Sequence, residues 1–241
     1  MIVLAIDTCD LRGSVAVLKD ENIFSFATHD TGEEYSSWLL PAVAGVLQKA
    51  GSRMAEVDGY AVAAGPGSFT GVRVGLTTVK AWAEVYGKSV AAVSRLEAIA
   101  MHAAEGGSYV AAATDARRQQ VFGAVYRREG AKLERVGDEM VIAPGKFIEN
   151  VASVVRDARV SWATTDGACL IGAEEWCARE KFNEALEVVS PYLAGAIGRI
   201  GIRQLNEGRS VDALTLDANY VRRSDAEIFW KGGAKAAGQE K

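Results

Sequence analysis

Residues 2–6, Ile-Val-Leu-Ala-Ile, are continuously apolar, the pattern of a strand covered on both faces. Residues 14–18 and 23–28 follow at short spacing. Gly13 and the 19–22 segment break the runs, so three hairpin-linked strands are predicted. Over 36–50, Leu39, Val43, Val46, Leu47 and Ala50 recur at helical spacing, and Gly51 supplies the stop. Pro41 suits only a first turn, so the regular part of this helix is expected to begin late. A strand at 60–64 then leads through the glycine-rich turn 65–71 into a helix over 70–86 closed by Gly87. A further strand covers 89–93. Ser94-Arg95-Leu96-Glu97 has the form of a capping box and opens a helix reaching about 105.

Gly106-Gly107 reads as a linker, after which the order of elements repeats. Strands are predicted at 109–113, at 121–127 and within 132–142, and a helix starts near Pro144. A strand at 160–164, a helix over 172–181, a strand at 186–189 and a last helix over 191–206 complete the pattern. The end from about 231 is small and polar, and is expected to be disordered. The chain therefore divides into an N-terminal subdomain, 1–105, a C-terminal subdomain, 106–230, and a tail, 231–241. The helix at 191–207 is a candidate to pack back on the first subdomain. Two α/β halves that each open with a strand hairpin group suggest the actin-like, ribonuclease-H-like ATPase architecture: a mixed sheet with flanking helices, twice over.

Charge narrows the partners. The 27 basic residues are outnumbered by 31 acidic ones, a net charge of −4. Unaided binding to nucleic acid, which rests on cationic contacts to phosphate, is disfavoured. Cys9, Cys169 and Cys177 form no pairing or zinc-knuckle pattern, which fits a reducing compartment, and a cytoplasmic location is expected. The opening apolar run is too short for a signal peptide or a membrane span. The two histidines, His29 and His102, give no metal-ligand spacing, so no metal site of the chain's own is expected and a Ser/His/acid arrangement has little to draw on.

The most informative segment is Gly65-Pro66-Gly67-Ser68-Phe69-Thr70-Gly71-Val72-Arg73-Val74-Gly75, between a strand and a helix. It matches neither a P-loop nor the Rossmann fingerprint. Two readings stay open: a plain turn with Ser68 or Thr70 as cap, or an anion site of backbone amides at a helix start. On the following helix Gly71, Gly75 and Thr78 share a face that Trp82 continues, while Val72, Leu76, Val79, Ala83 and Tyr86 form a second stripe. The small-residue face is a candidate contact for another helix, of this chain or of a partner. Asp7-Thr8-Cys9, running on to Gly13, joins the first two strands. In the ATPase architecture such a turn meets phosphate and metal, but Asp10, Leu11 and Arg12 suit phosphate poorly. The degenerate site comprises Asp7, Thr8, Gly65, Gly67, Ser68 and Thr70; a hairpin turn with Asp7 as capping acid is the alternative. Asp115-Ala116-Arg117-Arg118 places an acid before paired arginines, as an ion-paired turn or an anion contact, and Asn219-Tyr220-Val221-Arg222-Arg223 reads as a short edge strand or docking segment with a basic exit.

Taken in order, these segments resemble the bacterial TsaB/YeaZ family along essentially the whole chain. Ala5-Ile6-Asp7-Thr8, Leu39-Leu40-Pro41, Ser94-Arg95-Leu96-Glu97-Ala98, Asp115-Ala116-Arg117-Arg118 and Tyr220-Val221-Arg222-Arg223 look like family strings. Residues 65–75 reproduce its Gly-Pro-Gly-Ser-Phe-Thr-Gly-x-Arg-x-Gly signature. Tyr35-Ser36 stands where many relatives have His-Ser, and Cys9-Asp10 replaces a Ser/Thr pair. The resemblance implies a non-catalytic partner subunit in threonylcarbamoylation of the adenosine beside the tRNA anticodon. It implies pairing through the first two N-terminal helices, with a second copy when alone or with the catalytic subunit TsaD. Leu39, Val43, Gly71, Gly75, Thr78 and Trp82 are the candidate interface. It further implies an ATPase partner, TsaE, ATP and metal held by the partner subunits, and tRNA contact only within the complex. Two rival classes remain, an ATP-dependent small-molecule kinase of the same architecture and a glycoprotease-like metallopeptidase. Robust nucleotide binding or bound metal in the isolated chain distinguishes them.

Overall fold

The computed structural model describes residues 1–30, 32–104, 106–130, 132–181, 184–219 and 221. The apolar run at the start becomes β1 (Ile2–Asp7), which pairs antiparallel with β2 (Gly13–Lys19) and parallel with β4 (Gly59–Ala63). With β3 (Asn22–His29) and β5 (Ser89–Val93) these form a five-stranded sheet ordered β3-β2-β1-β4-β5. The second sheet has the related order β10-β9-β6-β7-β8, from β6 (Tyr109–Asp115), β7 (Val121–Glu129), β8 (Lys132–Ile142), β9 (Val160–Thr164) and β10 (Leu186–Val188). This is the two-sheet actin-like class expected from the order of elements.

Strand periodicity decides which helix covers which face. Tyr60 points to α2 (Phe69–Tyr86), where it meets Trp82 with ring centroids 6.0 Å apart. Gly59 and Ala61 point the other way, to Leu205 and Gly201 of α7 (Ala194–Asn206). α1 (Tyr35–Lys49) lies beside α2, on the outer face. In the second sheet Val121 and Val125 share a core with α4 (Pro144–Val155) and Trp162, whereas Phe122, Ala124 and Tyr126 join the core of the first sheet. α7 and α3 (Arg95–Met101) therefore lie between the two sheets. α7 follows the second sheet in sequence yet packs on the first, and α3 follows the first sheet yet packs on the second. Glycine makes the α7 contact possible: a Cβ on Gly201 would stand 2.4 Å from that of Ala61. Leu170 of α5 (Ala168–Ile171) and Trp176 of α6 (Trp176–Lys181) join the core that α4 makes with the second sheet.

Four boundaries differ from expectation. α1 begins at Tyr35, so Pro41 lies in its interior. The first turn is anchored from outside the helix, since Tyr35 stacks on His29 and its hydroxyl donates to the Asp10 carbonyl at 2.7 Å. α3 stops at Met101 rather than near 105. The helix predicted over 172–181 is shorter, running only over Trp176–Lys181 with Trp176 anchored in the core, and an unpredicted turn of helix at Ala168–Ile171 precedes it and ends at Gly172. α7 begins at Ala194, three residues past the predicted start at Pro191. The tail 231–241 lies outside the described residues.

The Ser94 hydroxyl caps α3, accepting from the amides of Leu96 and Glu97 at 3.2 and 3.3 Å. Burial raises the Glu97 pKa above its ordinary 4.5, against the pull of Arg203 and Arg209. The folded chain thus binds this proton more tightly than the unfolded chain does. The contribution is favourable below about pH 4.5 and is lost as the pH rises through the raised value. Glu97→Gln is expected to raise the melting temperature at pH 7, with the gain shrinking toward pH 4; melting curves at the two pH values check it.

Candidate functional site

A cleft of about 1200 Å³ opens between the sheets, walled by Leu11, Tyr35, Pro66, Phe69, Arg117 and Phe122 among others. Its floor is the end of β1. The Asp7 carboxylate, wholly buried, accepts from the Cys9 amide at 2.9 Å through Oδ1 and from Arg95 Nε at 3.3 Å through Oδ2. Arg95, 1% exposed, also donates from Nη2 to Asp10 Oδ2 at 3.2 Å and from Nη1 to Thr114 Oγ1 at 3.4 Å. Thr114 in turn shares a 3.0 Å hydrogen bond with Thr165. Burial works against the charge on Arg95, but Asp7 and Asp10 outweigh it, and its pKa is raised. A buried ion pair of this kind holds because each charge answers another; removing one member leaves the rest stranded.

The glycine-rich turn is built around the same loop. Ser68 caps α2, its hydroxyl accepting from the Gly71 amide at 3.3 Å, and the Ser68 amide donates to the Cys9 carbonyl at 2.6 Å. Thr8 Oγ1 donates to the Gly71 carbonyl at 2.7 Å. A Cβ on Gly67 would lie 2.2 Å from the Cys9 carbonyl oxygen, and one on Gly71 2.0 Å from that of Thr8. Gly65 takes φ +109°, open to glycine, and its carbonyl accepts from the Arg95 amide at 2.7 Å. Thr70 also lines the cleft. The structure thus brings Asp7, Thr8, Gly65, Gly67, Ser68 and Thr70 together at one place. Burial, then Asp7, pushes the Cys9 thiol well above its ordinary range and also raises the Tyr35 phenol. Both remain protonated near neutral pH, so neither is an activated nucleophile. Among the described residues, no group of three or more His, Cys, Asp or Glu is arranged to hold a metal ion.

The candidate interface requires correction. Gly71 and Gly75 are buried against the chain's own β1–β2 turn, where a Cβ on Gly75 would meet Thr8 Oγ1 at 2.6 Å. At about 100° per residue, Gly71, Gly75, Val79, Val72, Ala83 and Leu76 fall on one arc of about 140°, not on two faces. Leu39 and Val43 are likewise buried in the core. Thr78, which donates to the Val74 carbonyl at 2.7 Å, and Trp82 are half-buried. What α1 and α2 do expose is a shallow groove with Leu40, Phe69, Val74 and Thr77 on its walls, Leu40 being 57% exposed.

In the β6–β7 turn Asp115 receives the Arg117 amide at 2.8 Å and pairs with its guanidinium at 3.1 Å. Arg117, Arg118 and Gln119 all take left-handed φ, 61°, 56° and 58°. Arg222 and Arg223 lie outside the described residues. Reading the sequence missed Arg95 as a site residue, Asp10 as its second carboxylate and Tyr35 as the group that holds the Asp10 carbonyl. The presence of an arginine directly after a helix cap at a strand end was the available signal.

Fold and cleft together define a two-lobed protein of the actin-like class whose cleft floor carries an internal ion pair. A family model, "TsaD: tRNA N6-adenosine threonylcarbamoyltransferase", matches residues 29–164. The TsaB proteins of Bacillus subtilis and Escherichia coli are 30% and 34% identical over 62% and 54% of this chain. The chain spans 65% and 56% of the length of those two relatives. The Haemophilus influenzae TsaB is 27% identical over 96% of both chains. The solved structure titled "YeaZ from Pseudomonas aeruginosa" superposes with a TM-score of 0.73 at 28% identity, covering 91% of this chain and 99% of that one. A ROK hexokinase from Thermus thermophilus, at TM-score 0.55 and 14% identity, covering 86% of this chain and all of that one, shares the fold. The chain belongs to the TsaB/YeaZ family, within the broader threonylcarbamoyltransferase family that the model describes.

Proposed function

We propose that this chain is a non-catalytic partner subunit in the biosynthesis of tRNA threonylcarbamoyladenosine. In this reading it binds and activates a TsaD-like catalytic subunit, with a TsaE-like ATPase in the assembly. The observation that carries the reading is the cleft floor: both carboxylates of the β1–β2 turn face the chain's own Arg95. Carboxylates committed to an internal guanidinium are not open to a metal–nucleotide complex. ATP and metal then belong to the partners. The net charge of −4 accords with tRNA contact only inside the assembly. The test is reconstitution. The chain alone should give no threonylcarbamoyl transfer and no steady-state ATP hydrolysis, while adding it to the cognate TsaD-like subunit should raise transfer. Turnover by the chain alone would favour the kinase reading.

The groove between α1 and α2 is the surface proposed for pairing, with the catalytic subunit or with a second copy when alone. An exposed apolar groove between two helices suits insertion of a further helix. Leu40→Asp should weaken that association at least tenfold, about 1.4 kcal/mol, and leave the melting temperature near that of the unaltered chain. Sedimentation and titration calorimetry check this; an unaffected assembly would place the interface elsewhere.

A further inference from the structure

We propose that Arg95 is a resident substitute for a ligand, clamping the two sheets so that the cleft keeps one width whether or not anything occupies it. The chain crosses from the first sheet to the second at residues 94 and 95, between β5 and α3. Two successive side chains at this crossing bind both lobes. Arg95 reaches Asp7 and Asp10 of the first lobe and Thr114, at the end of β6, of the second. The Thr114–Thr165 hydrogen bond extends that contact past the end of β9. Ser94 bonds the Glu139 carboxylate of β8 through Oε1. Glu139 Oε2 accepts from Asn219 Nδ2 at 2.6 Å, and Asn219 is itself tied to the first lobe by its amide, 2.7 Å from the Ala64 carbonyl. Arg135 adds a contact to Glu139 at 3.4 Å.

The geometry has a mechanical meaning. Rotation of one sheet away from the other must draw Thr114 from Arg95 or draw Arg95 from Asp7, and must separate Glu139 from Ser94 or Asn219. Arg95 and Asp7 are both buried, so any opening that parts them leaves a charge without a partner and without water. A planar guanidinium can serve three acceptors in fixed directions at once; a lysine ammonium on the same stem cannot reproduce that fork. A ligand that bridges two lobes from the cleft would act on the same strand ends. Here the bridge is covalently part of α3, present at unit occupancy, and the angle between the sheets does not depend on ligand concentration.

Spin labels on cysteines introduced at Val85 of α2 and Val188 of β10, both well exposed at 75% and 61%, report the separation of the lobes. The naturally exposed Cys177 is first replaced by serine. The expected result is one narrow distance distribution, unchanged by millimolar MgADP or inorganic phosphate. Arg95→Lys keeps a positive charge beside Asp7 but gives up the fork, and should broaden the distribution. Thr114→Val with Thr165→Val removes the second-lobe acceptor while leaving both carboxylates on Arg95, and should broaden it too. Circular dichroism identifies the folded variants; if Arg95→Lys does not fold, the double threonine variant decides. A distribution that shifts with MgADP or phosphate in the unaltered chain, or stays narrow in every folded variant, would overturn the proposal.

Discussion

Asp7→Ala is expected to cost about 3–5 kcal/mol of folding stability, because it strands Arg95 in the core with Asp10 as its remaining carboxylate. For a chain of this size that lowers the melting temperature by roughly 10 °C. The amide of Cys9 also loses its acceptor. A second measurement separates this mechanism from general damage. If the loss comes from the stranded charge, Asp7→Ala combined with Arg95→Met should be less destabilised than the sum of the two single variants. Additive losses would show that Asp7 acts independently of Arg95. Any activity assay that uses Asp7→Ala as a catalytic knock-out must be read beside its melting curve.

Gly71→Ala is the second large effect, expected near 3 kcal/mol, at the upper end of what overpacking costs. The added methyl would stand 2.0 Å from the Thr8 carbonyl oxygen, which is backbone and cannot rotate away. Gly75→Ala should be milder. Its methyl meets the Thr8 hydroxyl at 2.6 Å, a group that can turn at the cost of its bond to the Gly71 carbonyl. Gly45→Ala on α1 is the control, since a Cβ there meets nothing within 4 Å. It should stabilise by up to about 1 kcal/mol through helix propensity alone. Chemical denaturation of the three variants gives the order; Gly71→Ala melting like Gly45→Ala would refute the close approach.

Much of this was legible along the chain because it is local. The unbroken apolar run of β1, the alternation of α/β elements, the Ser68 and Ser94 caps and the Gly87 stop are written within a few residues of where they act. Asp7 and Arg95 are 88 positions apart, and nothing in either neighbourhood names the other. Each is legible only as a polar residue at a strand end. The glycines of α2 were visible as a small-residue face, but a helical projection does not say which neighbour that face meets. Here it was the chain's own first turn. Pro41 was misjudged because the aromatic anchor that starts α1 early, His29 with Tyr35, involves a different element.

The placement of α3 and α7 has a consequence for synthesis. The inner face of the first sheet is complete by residue 93, yet the helix that covers it ends at Asn206. Until more than a hundred further residues have been made, Leu18, Ala61 and Ala91 have no glycine-lined helix to receive them. The nascent N-terminal half is therefore expected to present an open apolar face until α7 has been made. A fragment ending at the Gly106-Gly107 linker would keep that face for good. The two halves are a pair of interlocked parts, and cutting the chain between them is expected to bare apolar surface on both pieces.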